Sequence, residues 1–363
     1  MTASDSARLD PFADVAQLTA DIIDINSVSG NERALAEEVE GILRACSHLE
    51  VVRDGDSLIG RTNLGRAERV ILAGHLDTVP LPHVPGSRGT VPSTWEGEVL
   101  YGRGATDMKG GVAVQLALAA ALTEPSRDIT YVFYDHEEVE ASLSGLGRLA
   151  ERYPDWLEAD FAVLLEPTNG TVEGGCNGTA RFNITTTGRA AHSARAWMGE
   201  NAIHAMAEVL VRLRDHEPAT VSVDGLDFRE SLNAVLISGG TAGNVIPDRA
   251  VAEVNYRFAP DKTPEDAEKY VRDLLAGFEV ERTDAAAGAR PGLNHPAAAA
   301  FVAAVGGEPK PKYGWTDVAR FSALGIPAVN FGPGDALLAH SDDEHVHADA
   351  VRTCLKALSD WLA

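Results

Sequence analysis

Four apolar runs in the N-terminal half of the chain each stop at a residue that can ligate a metal. Val70-Ile71-Leu72-Ala73 gives way to Gly74-His75-Leu76-Asp77, and Leu100-Tyr101 leads through Gly102-Arg103-Gly104 to Asp107. Ile129-Thr130-Tyr131-Val132-Phe133-Tyr134 ends in Asp135-His136-Glu137-Glu138, and Phe161-Ala162-Val163-Leu164-Leu165 ends in Glu166-Pro167. Far downstream, His340, His345 and His347 add three imidazoles, among which composition makes no choice. Histidine and several carboxylates converging at one place would hold a hard-to-borderline divalent ion, zinc first. Glu137-Glu138 points there most strongly, because adjacent carboxylates repel and are costly to bury without a cation. On an extended chain the two would face opposite ways, so that one could bind metal while the other carries a proton. In His75-x-Asp77, alternation puts both side chains on one face, with the carboxylate placed to fix the imidazole tautomer. Taken alone, that pair also reads as a plain buried hydrogen bond, and Asp107 also reads as a helix cap. The glycines around Asp107 match neither GxxxxGK[ST] nor GxGxxG, which argues against a nucleotide site.

The elements that must position these groups follow from periodicity. Short β-branched runs between helical patterns predict buried strands of a parallel sheet, with ligands beyond their carboxyl ends. Helices are expected at about 11–26, 32–46, 110–122, 298–305 and 350–362, with a short one carrying Leu143, Leu146 and Leu149. Residues 51–64 read as a strand pair bent at Asp54-Gly55-Asp56, and 80–97 as a loop long enough to line a site. After Gly174-Gly175 the character changes to a β-α-β-β-α-β order, with strands near 181–187, 232–238 and 250–258 and from Val280. Its helices span 201–215 and 263–275, the second opened by a Thr263/Asp266 capping box. That order is the ferredoxin-like split unit, and the Ala/Gly-rich stretch Ala285-Ala286-Ala287-Gly288-Ala289-Arg290-Pro291-Gly292 is a hinge candidate after it.

Composition sets outer bounds. The 363 residues, 45% of them hydrophobic, are enough for two domains, and a net charge of −23 disfavours nucleic acid or an anionic membrane as partner. Three scattered cysteines without a CxxC fit a reducing, cytoplasmic setting. Residues 1–10 lack a basic stretch followed by an apolar run, and no window approaches about 18 uninterrupted apolar residues.

The ordered set Gly74-His75-Leu76-Asp77-Thr78-Val79-Pro80, Gly102-Arg103-Gly104-Ala105-Thr106-Asp107-Met108-Lys109-Gly110-Gly111, Glu137-Glu138 and Glu166-Pro167-Thr168 resembles the co-catalytic zinc amidohydrolase family. That family includes aminoacylase, glutamate carboxypeptidases, acetylornithine deacetylase and succinyl-diaminopimelate desuccinylase, and the likeness covers essentially the whole chain. It implies an α/β fold: a zinc-peptidase-like α/β/α catalytic domain (1–176 and 290–363) with an inserted ferredoxin-like α+β lid and dimerisation domain (177–289). It implies two Zn2+ per subunit, with Co2+ able to substitute: His75 and Glu166 on one ion, Glu138 and His340 on the other. Asp107 would bridge them, often followed by a cis peptide, while Asp77 would orient His75 and Glu137 would be the general base. Gly188-Arg189-Ala190-Ala191-His192-Ser193 is similar to the lid motif whose histidine reaches the substrate carbonyl, typically from the partner subunit of a homodimer. Asn244, in Gly243-Asn244-Val245-Ile246-Pro247, resembles a substrate contact, and Arg257 resembles a carboxylate-binding arginine, for which a fork of donors is suited.

Within the family, Glu173-Gly174-Gly175-Cys176-Asn177-Gly178-Thr179 and Ala191-His192-Ser193-Ala194-Arg195-Ala196-Trp197 look most like the branch acting on N-succinyl-LL-2,6-diaminopimelate. The implied reaction is removal of succinate from that small molecule, in lysine and diaminopimelate biosynthesis. Two loops depart from the branch: Cys176-Asn177 stands where arginine is frequent, and Gly314-Trp315-Thr316-Asp317 where Gly-Thr-Ser-Asp is common. The alternative is acetylornithine deacetylase or another N-acyl-amino-acid hydrolase or carboxypeptidase of the same family. A non-catalytic relative would have lost Glu137 or a ligand, and none is lost.

Overall fold

The apolar runs that precede the acidic motifs pair side by side. In the computed structural model, which describes residues 9–363, Asp128–Tyr134, Arg69–His75, Phe161–Leu164 and Ala328–Asn330 are neighbouring parallel strands. Residues 1–8, most of the stretch read above as lacking a leader, lie outside the described residues. The four strands form the middle of an eight-stranded sheet. The antiparallel pair Glu50–Asp54 and Ser57–Arg61 flanks it on one side, and the short strands Glu173–Gly174 and Lys310–Pro311 on the other. Every residue of Asp128–Tyr134 and Phe161–Leu164 is buried, as expected of strands covered on both faces. The covering helices include Val15–Asp24, Lys109–Ala121 and Ala348–Leu362, which share one core cluster around Val112, Leu116, Phe161 and Leu358. Gly111 lets the second of these approach the sheet, since a Cβ there would collide with the Leu165 carbonyl. Because the strands are parallel, His75, Tyr134 and Leu164 all end at one edge.

The Leu100 run does not join them. Val99–Tyr101 lies in a separate three-stranded antiparallel sheet with Thr94–Glu96, inside the stretch expected to be loop, and with His345–His347. Three residues between turn glycines are too short to cross the main sheet; the pairing instead sets Tyr101 opposite His345. A second difference concerns Leu143, which is exposed in a short 3-10 turn, so that the helix Gly145–Arg152 buries only Leu146 and Leu149 of the expected three.

Residues separate into two compact units: up to Gly174 with Gly292–Lys310 and Arg320–Ala363, and Gly175–Pro291 with Pro311–Ala319. The second unit has a four-stranded antiparallel sheet in the order Ser231–Gly239, Arg249–Phe258, Gly178–Thr187, Glu279–Ala286. Helices Ala202–Arg214 and Pro264–Leu274 bury Met206, Val209 and Val271 against Phe182, Val254 and Tyr256. The capping box is present: Asp266 N donates to Thr263 Oγ1 at 3.1 Å and Thr263 N to Asp266 Oδ2 at 3.0 Å. An additional hairpin, Thr220–Val223 with Leu226–Arg229, interrupts the expected order. Ala285 and Ala286, the first two residues of the expected hinge, belong to the last strand, while the chain passes between units after Pro291, inside that stretch.

Candidate metal centre

At the shared strand edge, His75 closes its strand fully buried, with Nδ1 3.0 Å from the Asp77 carbonyl oxygen and 3.6 Å from Asp77 Oδ1. Both neighbours of Nδ1 are acceptors, so Nδ1 carries a proton, while Nε2 faces Asp107 Oδ1 at 3.1 Å. The Asp77 carboxylate has a larger task, one that alternation along a strand could not reveal. Oδ1 accepts Glu137 N and Oδ2 accepts Glu138 N, each at 3.0 Å, and the Ser29 hydroxyl donates to Oδ2 at 2.6 Å. Burial alone would raise Asp77, but the His75 hydrogen bond and charge and the Ser29 bond outweigh it and bring the carboxyl to about 2.

The chain leaves the Asp128–Tyr134 strand through His136, whose φ of 56° is left-handed and uncommon for a residue with a side chain. The buried Glu32 carboxylate accepts His136 N at 3.3 Å and Gly30 N at 3.0 Å. This turn overrides the extended-chain expectation for Glu137 and Glu138. Instead of facing opposite ways, each brings a carboxylate oxygen within 4.8 Å of the other and of a His75 ring nitrogen.

Two further groups of ligand atoms meet the same separation: His75 with Asp107 and Glu166, and Asp107 with Glu138 and His340. Asp107 is common to both, and its two oxygens are divided between them. Oδ1 faces His75, whereas Oδ2 lies 3.4 Å from His340 Nε2, which also contacts Glu138 Oε1 at 2.9 Å. Of the three C-terminal histidines, His340 is thus the one at the centre; it is half exposed and left-handed at φ 62°. The bond after Asp107 is cis. Imidazole nitrogens and carboxylate oxygens in this mix suit a borderline divalent ion, so the residues present fit the group that the acidic motifs imply. Hydrogen bonds to Asp107 and Glu138 raise His340 to about 10. Burial opposes charge on His75, yet its bonds to Asp107 and Asp77 hold it well above the ordinary value.

The second unit contains the other three expected residues. His192 Nδ1 accepts Ala194 N at 3.1 Å, which leaves the proton of the neutral ring on Nε2. Asn244 is its neighbour: Ser193 N donates to the Asn244 carbonyl at 2.9 Å, and His192 pairs with Val245. Arg257 stands elsewhere on the sheet. Asn244 precedes the Arg249 end of its strand, and eight residues at about 3.4 Å each separate that end from Arg257. Within one copy of the unit, Arg257 therefore does not meet His192. Burial, then the charge of Arg181, lower Arg257 from its ordinary value, and no carboxylate among the described residues pairs with it.

Glu344 was not singled out by the sequence, where it is one of three acidic residues in Asp342-Asp343-Glu344. It is buried, and its Oε1 accepts Thr106 N at 3.1 Å and Asp107 N at 3.0 Å. Ser29 and Glu32 escaped notice for the same reason, since their partners lie 48 and 104 residues away.

Residues 71–363 match the model of the peptidase family M20/M25/M40. A Mycobacterium tuberculosis (strain H37Rv) protein named as a succinyl-diaminopimelate desuccinylase, DapE, is 52% identical over 357 residues, covering 98% of this chain and 99% of that protein. The succinyl-diaminopimelate desuccinylase of Corynebacterium glutamicum is 42% identical, with 98% of each chain covered. Among solved structures, a Staphylococcus aureus tripeptidase superposes with a TM-score of 0.77 at 21% identity, over 98% of each chain.

Proposed function

The chain belongs to peptidase family M20/M25/M40, and from that premise we propose that it hydrolyses the amide of N-succinyl-LL-2,6-diaminopimelate, giving LL-2,6-diaminopimelate and succinate. It is a metal-dependent hydrolase by family, and two proteins that carry a succinyl-diaminopimelate desuccinylase name match it over nearly its full length. The observation that carries the reading at the site is the division of Asp107, one oxygen toward His75 and the other toward His340. A carboxylate so placed can serve two ions at once, with His75 and Glu166 completing one set and Glu138 and His340 the other. Zinc is the proposed ion, two per subunit, with cobalt as a substitute. Ions held there would polarise the scissile carbonyl and acidify the attacking water.

The remaining steps belong to the chain's own groups. Glu137 takes the proton of the attacking water and delivers it to the leaving amine; its backbone is held by Asp77, so the carboxylate keeps one approach. His192 donates Nε2–H to the developing oxyanion, and Asn244 adds a polar contact to substrate. Arg257, a fork of donors without an acidic partner among the described residues, reads a substrate carboxylate.

A homodimer in the cytoplasm completes the proposal. Val235, Leu236 and Ile237 are exposed on the edge strand of the second unit, as are Ile203, Leu210 and Val211 on its first helix. An apolar edge of this kind calls for a partner strand. No helix among the described residues is long and apolar enough to cross a membrane.

The deciding assay compares release of free amine from N-succinyl-LL-2,6-diaminopimelate and from N-acetylornithine by the zinc-loaded protein. Preference for the succinyl substrate is the expected result. Preference for the acetyl substrate would keep the chemistry and reject the substrate, tracing the difference to the Cys176 and Trp315 loops.

A further inference from the structure

Asp107 and His340 are carried by loops more than 230 residues apart, and neither loop is part of the main sheet. A buried ion pair ties the loops together. Arg103 NH1 lies 2.7 Å from Glu344 Oε2, with the two side chains 3% and 1% exposed. The other Glu344 oxygen accepts the amides of Thr106 and Asp107, while Arg103 NH1 also donates to the Ser341 carbonyl at 3.2 Å. Two more bonds bind the same segments, and a third ties the 80–97 loop to them. Thr106 Oγ1 donates to the His345 carbonyl at 2.6 Å, Gly102 N to the Glu344 carbonyl at 3.1 Å, and Gly89 N to the Asp342 carbonyl at 2.7 Å.

A buried pair is weak support for stability as such, because apolar residues of the same volume often serve equally well. What apolar side chains could not do is grip a peptide. We propose that Glu344 is a positioning residue: it fixes the Asp107 peptide by its own carboxylate and, through Arg103 and the Ser341 carbonyl, holds that peptide in register with His340. The inference rests on the reading of Asp107 and His340 as ion ligands. Glu344 touches neither ion nor substrate; it sets the spacing between two groups that do. Its chemistry is specific. The partners of its carboxylate are N–H donors, so a carboxylate satisfies them, whereas a glutamine must turn an amino group toward either the guanidinium or the amides of Thr106 and Asp107. An aspartate is one methylene too short to reach both sides.

The test is titration of the ion-free protein with Co2+, followed by visible absorption, for wild type and Glu344→Gln, together with kcat and KM for the loaded enzymes. The variant should bind Co2+ about 10- to 100-fold more weakly, as loss of a group that orients a ligand does. Its kcat should fall while KM for substrate stays within about twofold. Asp128→Asn, a destabilising change at the opposite end of the sheet, should leave the titration unchanged and so separates positioning from general loosening. Should Glu344→Gln fail to fold, Arg103→Lys keeps the charge but loses the fork that reaches Ser341, and should weaken Co2+ in the same direction. A folded variant of either kind with a wild-type titration and wild-type kcat overturns the inference. Wild-type protein that takes up no Co2+ would instead overturn the metal reading beneath it.

Discussion

The Asp77 carboxylate accepts the backbone amide of Glu137 at 3.0 Å, so the residue expected to orient His75 also fixes the segment that carries the proposed base. An asparagine in its place would keep the shape and one acceptor oxygen but face one of the two amides with a donor. Asp77→Asn should therefore lower kcat/KM by about 100-fold and weaken the ions by about 10- to 100-fold. Steady-state kinetics with chelator competition measures both, and an effect on the ions alone would confine Asp77 to His75.

Glu137→Gln preserves size and the backbone contact with Asp77 but cannot take a proton. Metal content by atomic emission should match wild type, and kcat should fall by about 10²- to 10⁴-fold. Turnover close to wild type would remove Glu137 from the proton-transfer step.

Without ions, His340 is raised to about 10 and His75 well above its ordinary value, so both carry protons at neutral pH. An entering ion must displace them. Apparent affinity should climb with pH until about 10, and calorimetry in buffers of different ionisation enthalpy should register proton release. The sign for stability is opposite in the ion-free protein. A raised folded value stabilises fully below the ordinary 6.5 and is lost as pH rises through about 10, so its Tm should decline across that window.

Asp128 accepts the Thr62 hydroxyl at 2.9 Å and the amides of Leu64 and Arg66 at 2.7 and 2.9 Å. Burial opposes its charge, but these bonds prevail and lower the carboxyl from 3.8. Its contribution is thus present above pH 3.8 and lost as pH falls through the folded value. Asp128→Asn should cost about 1–3 kcal/mol at pH 7 by urea unfolding. The gap from wild type should narrow only below pH 3.8, as the folded carboxyl takes up its proton.

Ile237→Arg places a charge on the exposed apolar edge. Sedimentation should move from dimer to monomer with the Tm of each unit's core little changed. A wild-type protein already monomeric at micromolar concentration would reject the dimer.

Strand ends were legible because a fully buried parallel strand reads as an apolar run, and whatever follows it must leave the sheet at one edge. That logic located His75, Glu137, Glu138 and Glu166. It failed where a single residue changed the backbone: His136 turns left-handed, and alternation no longer says where Glu137 and Glu138 point. It also failed for Leu100, whose run is too short for a direction to be read from it. The hairpin after residue 220 did carry a readable mark, Asp224-Gly225, both at positive φ as a type I′ turn requires. Glu344 carried none, because its meaning depends on amides 237 and 238 residues away.

The division of the chain bears on how the protein can be cut. The backbone passes from one unit to the other at four points, after residues 174, 291, 310 and 319. The short return, Pro311–Ala319, supplies the Lys312 carbonyl to Asn177 N, the Thr316 carbonyl to Cys176 Sγ and the Trp315 indole to the Ala287 carbonyl. The second unit is therefore no removable cassette. A gene fragment ending at Pro291 would leave these acceptors and this donor behind. A circularly permuted or co-expressed 311–319 segment would be needed to rebuild the unit alone.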